Sequence, residues 1–187
     1  MSSREQLRQH LLKHSVKTGD FVLKSGLRSS WFIDSKQTVC SPEAMVWVAD
    51  AILGLVPEDA TAIGGLTMGA DPVSLVTAGV AATKGRFLRA FSVRKETKDH
   101  GPGGRIAGVL SPGDRVVITE DTVTRGTSLL EAAHVVQEYG AEIVLLTALV
   151  DRGGSVAELA RREGLPFKSV FSAPDLGFDY EGGAVLD

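Results

Sequence analysis

This 187-residue chain is poor in cysteine, in aromatic residues and in surplus charge of either sign. Its single cysteine, Cys40, excludes an intrachain disulfide framework and a metal cluster of several thiolates, and it fits a reducing compartment. Cys40 reads as a plain, partly buried thiol rather than a nucleophile. With 20 Lys and Arg against 23 Asp and Glu, the formal net charge of -3 argues against a general nucleic-acid footprint, leaving room only for local basic clusters. No segment has the continuous apolar length needed to cross a bilayer. The opening residues MSSREQLRQHLLKHS hold no apolar core of the kind a secretory signal needs. The expectation is a cytoplasmic protein that binds neither nucleic acid nor membrane. Nucleophilic triads and dinucleotide fingerprints are missing as well. His10 and His14, four apart, have no carboxylate or thiol support nearby and are expected to be exposed helix histidines. No protein metal ligand is proposed.

What the chain does have is glycine, 21 residues of it, and an alternation of short apolar runs with helical periodicity. Residues 3–13 read as an amphipathic helix, 20–23 and 31–34 as short strands, and 42–55 as a helix capped by Ser41 with Pro42 in its first turn. Strand, turn and helix then repeat. Strands are expected at 61–66, 87–93, 115–119, 142–150 and 167–171, with helices at 70–83, 127–139 and 155–163. Gly140 and Gly164 stand where a left-handed C-terminal cap is expected. Such alternation predicts one α/β domain over 1–187, a mainly parallel sheet flanked by helices, with a core at 57–172. Ligands of such sheets bind beyond the carboxyl ends of the strands. Residues 94–109, RKETKDHGPGGRIAGV, interrupt the pattern and read as a structureless, flexible, cationic flap.

Four segments are expected at that edge. In RVVITEDTVTRGTS (115–128) an apolar strand meets Glu120 and Asp121, and a Thr- and Gly-rich turn leads into a helix. Adjacent carboxylates accept hydrogen bonds from vicinal sugar hydroxyls. Residues 124–128 offer backbone N–H groups and three hydroxyls at a helix N-terminus, which favours a phosphate. Together they describe a ribose 5-phosphate site. An ordinary βα turn would explain Thr124 and Ser128, but not two carboxylates at the end of an apolar strand. The second segment, GGLTMGAD (64–71), lets backbone approach an anion and suits a diphosphate, although Asp71-Pro72 also reads as a simple helix cap. The third is the flap, whose Arg94, Lys95 and Lys98 are suited to stabilising a leaving group and excluding water; a solvated charged surface is its plain alternative. The fourth is Asp151-Arg152-Gly153-Gly154, where Arg152 is suited to a substrate carboxylate, against the alternative of a surface ion pair.

The ITEDTVTRGTS run resembles the phosphoribosyl-diphosphate motif of the type I phosphoribosyltransferases. RKETKDHGPGG and LKSGLRSSWFID (23–34) resemble segments of the orotate phosphoribosyltransferases within them. The resemblance covers nearly the whole chain. It implies the type I phosphoribosyltransferase fold, with a small hood from residues 1–40 and a flexible catalytic loop at 94–109. It also implies transfer of ribose 5-phosphate from 5-phosphoribosyl 1-diphosphate to orotate. Glu120 and Asp121 would hold the ribose hydroxyls. Thr122, Val123, Thr124, Arg125, Gly126, Thr127 and Ser128 would hold the 5-phosphate, and Lys24, Arg94, Lys95, Lys98 and His100 the rest of the donor. Phe32, Ile33, Thr124 and Arg152 would contact orotate. Lys98, His100 and Asp121 would be catalytic. Mg2+ would arrive bound mainly through the diphosphate sugar, and a homodimer would share the loop between subunits. Thr67-Met68 departs from the Tyr-Lys pair of many members, which leaves the diphosphate one fixed cation fewer. Residues 173–187 are expected to form a reduced lid over the base. The competing readings are a purine phosphoribosyltransferase, which a carboxylate-binding Arg152 disfavours, an RNA-binding regulator on the same fold, and a catalytically silent nucleotide sensor.

Overall fold

The computed structural model describes residues 2–22, 28–98 and 104–181. Helix α1 (Ser3–His10) starts at Ser2, whose hydroxyl accepts the Glu5 N–H, and runs on into a π turn at Leu11–Ser15. Strands β1 (Val16–Val22) and β2 (Arg28–Ile33) form a separate antiparallel pair. Both are longer than their apolar runs suggested. Pairing from Val16↔Ile33 to Val22↔Arg28 satisfies the backbone of polar residues that carry no strand signal of their own.

A short helix, α2 (Lys36–Val39), follows without a sequence signal, and Cys40 ends it. Cys40 is exposed rather than partly buried, because it caps α2 outside the apolar cluster. Helix α3 (Met45–Leu53) starts later than expected, with Ala44 at its N-cap. The Ser41 hydroxyl turns instead to Glu43, while its carbonyl accepts the Ala44 and Met45 N–H groups. His10 is half-buried, another departure. Its Nδ1 lies 3.0 Å from the Thr38 hydroxyl, and its ring rests 4.3 Å from that of His14 and edge-on to Trp47. The packing of α2 and α3 over α1 removes it from solvent.

The main sheet contains β3 (Ala62–Leu66), β4 (Arg89–Lys98), β5 (Gly104–Gly108), β6 (Arg115–Val123), β7 (Glu142–Asp151) and β8 (Phe167–Ser172). Their order is β5-β4-β3-β6-β7-β8, parallel except for β5. The helices between them are α4 (Ala70–Thr83), α5 (Thr127–Glu138) and α6 (Val156–Arg162). Gly140 and Gly164 close α5 and α6 at φ +94° and +70°, a backbone that favours glycine. Asp71 lies inside the first turn of α4, not at its cap, which is Gly69.

Two corrections concern strand ends. Residues 94–98 and 104–108 are not structureless: β4 and β5 form an antiparallel ladder from Phe91↔Gly108 to Lys98↔Gly104. An edge hairpin can be charged because one of its faces is not needed for the core. Likewise β6 continues four residues past Thr119. Glu120 pairs beside Ala148, Thr122 beside Val150 and Val123 beside Asp151, so the carboxylates expected at the strand's end lie within it and the turn begins only after Val123. The ladder of β7 outweighs the low strand propensity of Glu120 and Asp121.

Apolar side chains cover both sheet faces. Ile63, Val117, Leu145, Leu149 and Phe171 pack on one face with Leu7, Leu11, Trp31, Val48 and Ile52. Val116, Ile118, Leu146 and Ala148 pack on the other with Leu129, Ala133, Val136 and Val156. Burial on both sides explains the near-continuous apolar strands. It also leaves the carboxyl ends of β3, β4, β6 and β7 as the edge where polar groups converge.

Candidate active site

Glu120 and Asp121 lie near the carboxyl end of the central strand β6, and both are buried. Successive residues of a strand face opposite sides, yet both carboxyls reach one place. That place is the turn after β3. A Cβ at Gly69 would stand 1.9 Å from Glu120 Oε1 and 2.8 Å from Asp121 Oδ1, so any side chain here would displace the carboxyls or the turn that closes over them. The turn carries a cis peptide between Thr67 and Met68, and Thr67 N–H donates to the Val93 carbonyl of β4 at 2.8 Å.

The two carboxyls differ in chemistry. Burial raises the Glu120 carboxyl to about 8, and the neighbouring Asp121 charge adds to the effect. Glu120 therefore keeps its proton at neutral pH. Asp121 Oδ2 is the better-supported anion: it accepts the Ser35 hydroxyl at 2.5 Å and the Lys36 ammonium at 2.7 Å. Asp121 Oδ1 accepts the Thr122 N–H at 2.8 Å. Burial pulls the Lys36 ammonium down, but its hydrogen bond to Asp121 and the charges of Asp121, Glu120 and Asp34 outweigh this, and the net shift is upward. An acceptor beside a carboxyl that still holds its proton suits neighbouring hydroxyl groups.

Beyond Val123 the chain turns at Thr124 and Arg125, passes through Gly126 in the left-handed region and enters α5 at Thr127. No side chain caps this helix, so its first N–H groups and dipole face outward from the strand edge. Arg125 and Thr127 are exposed, while Thr124 and Ser128 are half-buried. The next loop packs directly against this one. A Cβ at Gly153 would fall 1.8 Å from the Thr124 carbonyl, and Ser155 donates its hydroxyl to the same oxygen at 3.2 Å. Asp151 Oδ1 accepts the N–H groups of Gly153 and Gly154 at 3.1 and 3.0 Å. Burial nevertheless leaves its carboxyl raised.

Arg152 is buried, not part of a surface ion pair. Its N–H donates to the Val123 carbonyl at 2.8 Å, which ties the ends of β6 and β7 together. Its guanidinium lies over the Trp31 ring, 4.9 Å from the centroid, and 6.0 Å from that of Phe32. Phe32 is 38% exposed, whereas Ile33 is packed in the core. The hairpin β1–β2 thus brings an aromatic wall to the buried cation.

The flap contributes less that can be described. Arg94 is half-buried in β4 with Nη1 3.5 Å from the Gly104 carbonyl, and Lys95 is exposed. Arg105 donates to the Arg94 carbonyl at 2.7 Å and pairs with Glu131. Lys24, His100 and the Lys98 side chain lie outside the described residues. Among the described residues no group of three or more His, Cys, Asp or Glu side chains converges as a metal site.

Three residues at this edge had no signal in the sequence. Ser35 and Lys36 reach Asp121 across 86 and 85 residues, and Glu181 pairs with Arg152 across 29. Each is an ordinary polar residue whose partner only the fold supplies.

No protein-family model matches the chain. The orotate phosphoribosyltransferase of Aquifex aeolicus is 39% identical over 180 residues, spanning 94% of this chain and 98% of its own length. The solved orotate phosphoribosyltransferase of Mycobacterium tuberculosis in complex with Fe(III) dicitrate superposes with a TM-score of 0.84 at 36% identity, over 95% of this chain and all of that one. A structure of the M. tuberculosis protein in complex with 5-phospho-alpha-D-ribosyl 1-diphosphate gives a TM-score of 0.80 at 32% identity and the same coverage.

Proposed function

The chain belongs to the orotate phosphoribosyltransferase family, and from that premise we propose its reaction in full. It transfers ribose 5-phosphate from 5-phosphoribosyl 1-diphosphate to a ring nitrogen of orotate, giving orotidine 5'-phosphate and diphosphate in pyrimidine nucleotide synthesis. One observation carries the reading. The Glu120–Asp121 pair, the uncapped start of α5 and the buried Arg152 stand side by side on the ends of β6 and β7. A sugar diol, its 5-phosphate and a carboxylated base need these groups in this order.

In this reading Asp121 and Glu120 hold the two ribose hydroxyls. Residues 122–128 hold the 5-phosphate through backbone N–H groups and the hydroxyls of Thr124, Thr127 and Ser128. Arg152 takes the orotate carboxylate, with Thr124 beside it and Phe32 against the ring. The bond from the anomeric carbon to the diphosphate oxygen breaks as the base nitrogen forms its own. The ribose then passes through an oxocarbenium-like state, in which competing water must be kept out. Arg94, Lys95 and Lys98, with Lys24 and His100, would stabilise the leaving diphosphate, and His100 would give it a proton.

Mg2+ would arrive on the diphosphate sugar and supply charge neutralisation there. The Asp121 carboxylate at the ribose end is a hard oxygen group compatible with such a complex, whose main ligands are the sugar diphosphate's own oxygens. We also propose a cytoplasmic homodimer in which residues 94–109 reach the partner's site. Exposed Met68, Leu75 and Val109 provide apolar surface for it, and no helix among the described residues is long and apolar enough to cross a membrane. Sedimentation of a monomer under assay conditions would overturn the dimer.

A spectrophotometric assay tests the reaction. Loss of orotate absorbance should require the protein, 5-phosphoribosyl 1-diphosphate and Mg2+ together. Consumption of a purine base instead, by folded protein, would replace orotate as the substrate.

A further inference from the structure

Arg152 already holds a carboxylate, and it is the protein's own. Its Nη2 donates to Glu181 Oε2, with the two side chains only 10% and 11% exposed. The backbone closes the same contact, Glu181 N–H donating to the Arg152 carbonyl at 2.7 Å. The segment that delivers Glu181 is pinned at two further points. Phe178 stacks on Trp31 with centroids 4.6 Å apart and planes at 11°. The Tyr180 ring occupies the space above Gly154, where an added Cβ would meet it at 2.9 Å.

The pair is only half satisfied. Arg152 Nε and Glu181 Oε1 are both buried without a hydrogen-bond partner, and so is Trp31 Nε1 beside them. A guanidinium and a carboxylate can share two parallel hydrogen bonds, and this pair makes one. Burial also lowers the Arg152 guanidinium and raises the Glu181 carboxyl, each partly offset by its partner. A buried donor and acceptor left over beside a formed ion pair describe a site able to take a better-fitting anion.

We infer that Glu181 is a stand-in for the substrate's carboxylate, held on Arg152 until orotate displaces it. This rests on the reading of Arg152 as the orotate ligand. Binding is then an exchange of one carboxylate for another. A carboxylated base repays the broken pair with a new one. A base lacking the carboxylate leaves a buried guanidinium unpaired, which is strongly unfavourable. Glu181 thereby acts as an internal competitor for Arg152: it lowers the apparent affinity for orotate by the fraction of molecules in which the pair is open.

The test compares Glu181→Gln and Glu181→Ala with Arg152→Lys, measuring KM for orotate, KM for 5-phosphoribosyl 1-diphosphate and turnover of uracil. Glu181→Gln keeps the side-chain volume and so guards against a simple loss of packing. The expected result is an orotate KM several-fold lower in both Glu181 variants, with the KM for the diphosphate sugar unmoved and the preference for orotate over uracil unchanged, since opening the pair costs either base the same. An unchanged or raised orotate KM in both variants overturns the inference, provided Arg152→Lys raises that KM. If Arg152→Lys leaves the orotate KM unchanged, the underlying reading of Arg152 fails, and the inference with it.

Discussion

Lys36 Nζ lies 2.7 Å from Asp121 Oδ2, across 85 residues of sequence. The contact joins the segment following the β1–β2 hairpin to the carboxyl end of the central strand, with the Ser35 hydroxyl on the same oxygen. It fixes one carboxylate oxygen and leaves the other toward the Gly69 turn. The Lys36 side chain is 44% exposed, so the pair is screened, and its value is in orientation more than in stability.

Lys36→Met should therefore act on the sugar donor. We expect kcat/KM for 5-phosphoribosyl 1-diphosphate to fall about tenfold, equivalent to ~1.4 kcal/mol, with the orotate KM nearly unchanged. Lys36→Arg should recover part of the loss. Equal losses toward both substrates would show that Lys36 supports the fold rather than Asp121.

Glu120 should make the protein less stable as pH rises. Its folded-state carboxyl is raised to about 8, so through the window from the ordinary value of 4.5 upward the folded chain keeps a proton that the unfolded chain has lost. Stability from this group is complete below that window and is lost as pH climbs through it. Glu120→Gln removes the effect. At about pH 8.5 the variant should melt roughly 4–8 °C above the parent, on the order of 2 kcal/mol, with the gap closing toward about pH 5. A Tm difference independent of pH would show that Glu120 is not protonated in the folded protein.

Gly69→Ala places a methyl group against both carboxyls, at 1.9 Å from Glu120 Oε1 and 2.8 Å from Asp121 Oδ1. The carboxyls or the turn must then move. We expect activity at saturating orotate to fall at least about tenfold, since displacement of positioned groups by an ångström is enough for that. Far-UV circular dichroism should be unchanged. Full activity in the folded variant would remove the pair from the site.

Lys98 completes the β4–β5 ladder opposite Gly104, next to the segment proposed to meet the leaving group. Lys98→Ala should lower kcat by about a hundredfold, in line with loss of one transition-state charge contact, while the orotate dissociation constant changes far less. Unchanged turnover would exclude the flap from the mechanism.

The sequence by itself determined the parts governed by near neighbours. Apolar periodicity placed α4 at the bounds it adopts and put α5, β7 and β8 within a residue or two of theirs. The run 115–128 declared both carboxylates and the helix start behind them, because a strand, a turn and a helix N-terminus are short-range events. Tertiary structure decided everything that depends on register. The β7 ladder carried β6 past Thr119, so that Glu120 and Asp121 lie inside the strand they were expected to end, and pairing with β5 made strands of a segment whose composition reads as loop. Strand order and packing alone brought Ser35 and Lys36 to Asp121, Gly69 to Glu120 and Glu181 to Arg152. Burial then gave those groups their chemistry: the same carboxyl that ionises freely on an unfolded chain holds its proton once the fold takes water away from it.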